Sequence, residues 1–267
     1  MLNNITLGQY YPGNTCIHRL DPRCKILAVI TLIVLVFVAQ SFSAYAVLFA
    51  FAMWASVLSK VGMKTIWRSL KPILIIVVFT FVLNVLFTGG GTPILEWRFI
   101  HITTGGVSTA FRMAIRLILL VLCTQLLTLT TSPISLTDGM ERLLRPAAKI
   151  GFPAHELAMM MSIALRFIPT LMEEADKIMK AQRSRGADFD TGSLIQRAKA
   201  MLPLLVPLFL SAFRRADELA QAMEARCYRG GEGRTRMKIL RYTRLDGVCA
   251  VCICVLFAAV LLANRLI

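Results

Sequence analysis

Long apolar runs separated by charged connectors set the rhythm of this chain. The runs cover 26–40, 43–59, 72–88, 106–130 and 246–264. Each is at or near the length at which a helix rising 1.5 Å per residue crosses a hydrocarbon core of about 30 Å, tilt or snorkelling flanks making up the difference for the shorter ones. Five spanning helices are expected. Only Gln40-Ser41-Phe42-Ser43 separates the first two, and one helix through both would far overrun a bilayer, so a helical hairpin is the better reading.

Between 131 and 245 the pattern changes to three helices with recognisable ends. The first has Ser132 as N-cap and Pro133 at its first position and stops before Gly151. The second starts at Pro153 and runs to about Ser184, where Gly186 can take a left-handed cap. The third starts near Thr191-Gly192-Ser193 and runs to about Cys227. The latter two are each about 45 to 50 Å long. Residues 157–165 and 201–210 are apolar nearly all round but too short to span comfortably, and Pro169, Pro203 and Pro207 each remove a backbone donor and should bend their helix. These halves should lie against the membrane or a membrane-embedded partner. As two further spans they would require a polar tail to cross or stop abruptly.

The chain thus divides into 1–130 with spans one to four, 131–245 with the three helices, and 246–267 with the last span. In the connector after span three, Gly89-Gly90-Gly91-Thr92-Pro93 signals a turn and Trp97-Arg98-Phe99-Ile100-His101-Ile102 suits a short strand or hairpin, with Trp97 as an interfacial anchor.

Composition confirms the class: 57% of residues are hydrophobic and the mean hydropathy is +0.66, far above soluble domains. A net charge of +15 could suggest nucleic acid, but Lys and Arg of a polytopic protein gather in cytoplasmic loops, so no nucleic-acid partner is expected. Arg19, Arg23 and Lys25 precede span one, the 40–43 connector is uncharged, Lys60, Lys64, Arg68 and Lys71 fill the next, and 88–105 has only Glu96 and Arg98. Residues 130–245 carry 19 Lys and Arg against 12 Asp and Glu. The alternation places the N-terminus and 131–245 in the cytoplasm and the C-terminus outside. Polar Asn3, Asn4, Gln9 and Asn14 stand where a signal peptide would need an apolar core, so the N-terminus should be kept.

The two long helices end in related segments. Setting Arg185 against Arg226 also sets Ala181 against Ala222 and Asp176 against Asp217. Upstream of the tips, Glu173, Glu174, Asp176, Lys177, Lys180 and Arg183 on one helix and Arg214, Arg215, Asp217, Glu218 and Glu224 on the other describe water-exposed faces. A cation at a helix C-terminus is favoured by the macrodipole by about 0.3 to 1 kcal/mol, so Arg185 and Arg226 have a capping reading. Their pairing, and the small neighbours Ala181, Ser184, Gly186, Ala222 and Ala225, favour docking of both tips into a partner, where a guanidinium can grip a carboxylate bidentately.

Catalytic chemistry finds little support. There is no Gly-x4-Gly-Lys-Ser/Thr loop, and Gly230-Gly231-Glu232-Gly233-Arg234-Thr235 lacks the lysine, so the chain should not bind ATP itself. Cys249, Cys252 and Cys254 cluster in the last span without histidine or carboxylate company, and His18, His101 and His155 are scattered; no metal, cofactor or structural disulfide is expected. Arg112 and Arg116 lie near the outer end of span four, where they could snorkel, pair with loop groups or attend an anion.

Three stretches carry a resemblance. Arg19-Leu20-Asp21-Pro22-Arg23-Cys24-Lys25, the run from Leu165-Arg166-Phe167-Ile168-Pro169-Thr170-Leu171 to Arg185-Gly186-Ala187-Asp188-Phe189, and Ala222-Met223-Glu224-Ala225-Arg226-Cys227-Tyr228-Arg229-Gly230-Gly231 resemble the transmembrane T component (EcfT family) of energy-coupling factor (ECF) transporters, over essentially the whole chain. The resemblance implies an all-α polytopic membrane protein, five spans plus a cytoplasmic coupling region of three helices, that serves as scaffold of an importer. Its implied partners are two ATP-binding-cassette ATPases and a vitamin-binding S component, and the motifs look most like the form shared among several S components. Ser184-Arg185-Gly186 and Ala225-Arg226-Cys227 stand where the family has paired Ala-Arg-Gly coupling motifs, each docking on one ATPase. Cys227 replaces the glycine best suited to a left-handed cap, which leaves Gly230 as an alternative terminator. A stand-alone secondary transporter would instead predict hydropathy repeats and broken helices, and a conventional ABC permease a single coupling motif.

Overall fold

A computed structural model describes residues 10–90, 92–97, 100–187, 189, 193–231 and 240–265. The readings that rest on Asn3, Asn4 and Gln9, on Thr191 and Gly192, on residues 232–235 and on the side chain of Trp97 fall outside the described groups. The described residues form α1 (Cys16–Arg19), α2 (Pro22–Val38), α3 (Phe42–Leu58), α4 (Met63–Phe87), β1 (Pro93–Trp97), β2 (Ile100–Thr103), α5 (Thr104–Thr130), α6 (Pro133–Leu144), α7 (Ala154–Ser184), α8 (Leu194–Ala225) and α9 (Arg244–Arg265). Helix dominates, as an all-α polytopic membrane protein requires. Contacts group α1–α6, the hairpin and α9 into one compact unit and α7 with α8 into another.

In the first unit, α2, α3, α5 and α9 share a core of Leu35, Val36, Tyr45, Leu48, Leu119 and Val260. α4 packs along α5, with Ile66 meeting Leu122 and Leu129. Most of its remaining surface, including Ile75, Phe79 and Phe87, is exposed and apolar, as suits a lipid-facing helix. α4, α5 and α9 are long and apolar enough to cross a membrane. α2 and α3, at 17 residues each, rise only about 25 Å. α4 begins at Met63, nine residues before the apolar run at 72, because the helix continues through Lys64, Arg68 and Lys71 and through Pro72. β1 and β2 pair antiparallel, with Glu96 opposite His101 and Trp97 opposite Ile100.

Polar ties hold both ends of this unit. Asp21 caps α2 by accepting from the Arg23 amide, and its own amide donates to Asp246 Oδ1 at 2.8 Å. Asp246 Oδ2 accepts from the Thr243 amide and hydroxyl at 2.6 and 2.9 Å. The Lys25 ammonium, near the start of α2, donates to the carbonyls of His18 in α1 and Thr130 at the end of α5. At the opposite end Asn264 accepts from the amides of Gln40 and Ser41 and donates to the Val38 carbonyl, stitching α9 to the α2–α3 loop.

α6 starts as its sequence indicates: the Ser135 amide donates to Ser132 Oγ and Pro133 is the first helical residue. It ends at Leu144, earlier than Gly151, and a 3-10 segment (Arg145–Ile150) fills the gap. Pro146 explains the change, since it has no amide with which to continue the ladder. Gly151, at φ 89°, then reverses the chain.

In the second unit, α7 and α8 run 31 and 32 residues, through Pro169 and through Pro203 and Pro207. Ser193 opens α8 with a full capping box, its side chain accepting from the Gln196 amide while Gln196 accepts from the Ser193 amide. Among the described residues α7 buries only Ala154, Ala158 and Ala175 and α8 buries none, leaving Met160, Met161, Leu202, Val206, Phe209, Leu210 and Phe213 exposed. α8 is also long and apolar enough to cross a membrane, with a mean hydropathy of 1.2 against 2.0 to 2.7 for α4, α5 and α9. The uncharged stretch between Lys199 and Arg214 covers about 21 Å, less than a hydrocarbon core.

Candidate functional site

The residues singled out at the helix tips occupy two copies of one local structure. α7 ends at Ser184, with Arg185 at φ −89°, ψ 7° and Gly186 at φ 87°. α8 ends at Ala225, with Arg226 at φ −92°, ψ 14° and Cys227 at φ 53°. The amides of Gly186 and Ala187 return to the carbonyls of Arg183 and Gln182, both at 3.0 Å. Those of Cys227 and Tyr228 return to Glu224 and Met223 at 2.8 and 3.0 Å. Both ends are thus Schellman caps, with the arginine at the equivalent capping position.

Cys227 therefore takes the left-handed conformation itself, and Gly230, at φ 89°, bends the chain beyond a helix already closed. An L-residue there costs about 1 to 2 kcal/mol relative to the right-handed alternative, offset in part by the two cap hydrogen bonds. The chain following α8 then reaches Gly231, where an added Cβ would lie 2.5 Å from the His155 ring near the start of α7. A side chain there would have to displace that ring.

Ser184, Arg185, Gly186, Ala225, Arg226 and Cys227 are all exposed. Ser184 Oγ donates back to the Lys180 carbonyl at 3.1 Å. Among the described residues neither the Arg185 nor the Arg226 guanidinium has a hydrogen-bond or ion-pair partner. The local requirement for a cation is met by the dipole alone, and the five donors of each fork remain available.

The structure adds a contact that reading the charged faces as simply water-exposed missed. Glu174 of α7 accepts from Ser211 Oγ at 2.5 Å and from Arg215 Nη2 at 3.0 Å, both on α8. The hydrogen bond from Ser211 holds the Glu174 carboxyl below the usual carboxylate range; burial opposes it, and the Arg215 guanidinium adds to the lowering. Glu174 lies eleven residues before Arg185, and Arg215 eleven before Arg226. The helices are therefore pinned at equivalent points of the repeat, about 16 Å of helix from each tip. The signal was present in the sequence: the register that aligns the arginines also sets Glu173-Glu174 against Arg214-Arg215.

Relatives identify the scaffold. The family model described as CbiQ, cobalt transport protein, matches residues 13–237. Curated proteins named energy-coupling factor transporter transmembrane protein EcfT are similar along almost their whole length. The one from Acidaminococcus fermentans is 58% identical over 257 residues, 96% of each chain. That from Thermosediminibacter oceani is 59% identical over 245 residues, 92% of each, and that from Bacillus subtilis 49% over 258 residues, 97% of each. On a family match across most of its length and on this identity, the chain belongs to the CbiQ family, among the EcfT transmembrane proteins of energy-coupling factor transporters.

Proposed function

We propose that this chain is the scaffold and coupling subunit of an ECF importer, with Arg185 and Arg226 each docking in a groove of one ATP-binding-cassette ATPase. The observation that carries the reading is the pair of matched tips: two exposed, unengaged guanidinium groups on identical caps, at equal distances from one crossing point. Capping needs neither the match nor the pinning. When ATP draws the ATPases together the two grooves move relative to each other, and a pair of stiff helices fastened at Glu174 and Arg215 converts that into displacement of their apolar halves. The exposed faces at Met160, Leu202 and Phe209 are the surface on which a vitamin-binding S component would ride.

In this reading α7 and α8 lie along the cytoplasmic side, consistent with the short uncharged stretch of α8. The end of the membrane unit that carries Asp21, Lys25 and Asp246 faces the cytoplasm, with the N-terminus inside and the C-terminus outside. ATP hydrolysis belongs to the partners, and the motifs favour the form shared among several S components. The test is co-expression of the tagged chain with candidate ATPases and two or more S components. Elution of the chain alone would defeat the assembly reading, and recovery of a single S component from the mixture would defeat the shared form.

A further inference from the structure

We propose that the cavity formed where α5 passes the α2–α3 loop is a phosphate-binding site, filled by the headgroup of a phospholipid. The cavity encloses about 260 Å³, with Gln40 and Tyr45 on one side and Thr109, Arg112 and Arg116 on the other. Among the described residues no carboxylate lines it. Between Asp21 and Asp138 the sequence has one acidic residue, Glu96, which sits on β1 in register with His101.

Both cations are oriented by neutral groups. Arg116 donates through Nη2 to the Tyr45 hydroxyl at 2.9 Å, which in turn donates to the Ala39 carbonyl at 2.8 Å. Its Nη1 meets Met113 Sδ at 4.0 Å, and its guanidinium carbon stands 5.4 Å from the centre of the Phe37 ring. Among the described residues Arg116 Nε is buried without a hydrogen-bond partner. Arg112 has, among the described residues, only a long contact, 3.4 Å, to Thr109 Oγ1. Two like charges four residues apart on one helix repel each other. An oxyanion lying between them would remove that repulsion and supply the acceptor that Arg116 Nε lacks.

Helix lengths explain why such a site exists here. α2 starts beside the last residue of α5, as the Lys25 to Thr130 hydrogen bond shows. From that common level α2 rises 17 residues and α5 rises 27, so α5 overshoots the α2–α3 loop by about 15 Å. The arginines lie where the overshoot begins, in a step at the depth to which a headgroup sinks beside a short helical hairpin. The rim favours a lipid as the source of the phosphate: the Phe42 and Phe111 rings stand 6.0 Å apart, and both, like Phe37, are exposed, which suits acyl chains below a bound phosphate.

The test uses the full chain in nanodiscs of equal phosphatidylglycerol and phosphatidylcholine, released and weighed by native mass spectrometry. The wild type should retain phosphatidylglycerol over phosphatidylcholine by at least about tenfold, and the preference should vanish in the Arg112→Gln/Arg116→Gln double variant. A second arm adds inorganic phosphate to the chain in phosphatidylcholine alone. A melting shift there, without lipid retention in the first arm, would keep the oxyanion site but overturn the lipid as its source. Equal retention in wild type and double variant with no phosphate shift would overturn the site.

Discussion

Glu174 and Arg215, which fasten α7 to α8, stand 41 residues apart, the same offset that separates Arg185 from Arg226. The crossing and the tips are therefore set by one register. Reversing one partner by Glu174→Arg should loosen the crossing, and the exchange Glu174→Arg/Arg215→Glu should restore it. With side-chain exposures of 25% and 38%, the pair contributes about 0.2 to 1 kcal/mol after solvent screening, so the expected effect is on geometry more than on folding. Spin labels at Lys180 and Gln221 should give a narrow distance distribution in the wild type, a broad one in the single variant and a narrow one again in the exchange.

The same carboxylate fixes a pH dependence. The folded-state pKa of Glu174 is depressed, first by Ser211 and then by Arg215, so its contribution is present above the ordinary Glu value of about 4.3 and is lost as pH falls through the depressed value. The spin-label distance should hold steady from about pH 8 to 5 and broaden only in stronger acid. Glu174→Gln should show no such acid transition, and a wild-type change near neutrality would contradict the assignment.

How far the sequence carried is clearest at these helices. The limits of α7 and the start of α8 were legible because Pro153, Gly186 and Ser193 are local signals with local causes. The α8 cap was not, because a cysteine at a left-handed position follows from the completed Schellman bonds and not from its own preference. The start of α4 was misplaced because apolar residues mark where lipid begins, whereas a helix ends where its backbone bonds end. The tie between Asp21 and Asp246, 225 residues apart, depends on tertiary packing that no local pattern encodes, whereas the Glu174 contact with Arg215 shows in the sequence only when the two segments are set in one register. The tip residues were legible through repetition, a comparison of the chain with itself.

Cys227→Gly should tighten the second tip. Relief of a left-handed L-residue is worth about 1 kcal/mol, which corresponds to roughly fivefold slower amide exchange at Cys227 and Tyr228 if the cap opens locally. A β-branched Cys227→Val should speed the same amides. Hydrogen exchange read on a peptide covering 223–228 distinguishes the two.

Charge reversal at the tips tests docking most directly. Arg185→Glu and Arg226→Glu should each reduce ATPase retention on the tagged chain, because each places an anion where the groove is expected to present one, and a desolvated like-charge contact costs several kcal/mol. The double variant should insert normally yet lose uptake of a labelled vitamin. Wild-type retention and uptake in that variant would reduce both arginines to capping charges.

Asp246→Ala should destabilise the membrane unit. It strands the Asp21 and Thr243 amides, each a buried or half-buried donor costing about 1 to 3 kcal/mol when unmet. A lower melting temperature in mild detergent is expected, with Asp246→Asn milder because its carbonyl still accepts. An unchanged melting temperature in Asp246→Ala would show that water replaces the carboxylate.

The sign inversion within the repeat also governs which helices can meet when many copies share a crowded bilayer. Two α7 helices from neighbouring molecules, crossing at this point, would set Glu174 against Glu174, and two α8 helices would set Arg215 against Arg215. Only the unlike combination is attractive, and the one within a single chain is favoured by the short connection between its helices. A duplicated segment is ordinarily prone to pairing with its own copies; here the divergence of Glu173-Glu174 from Arg214-Arg215 makes each half recognise the other and reject itself.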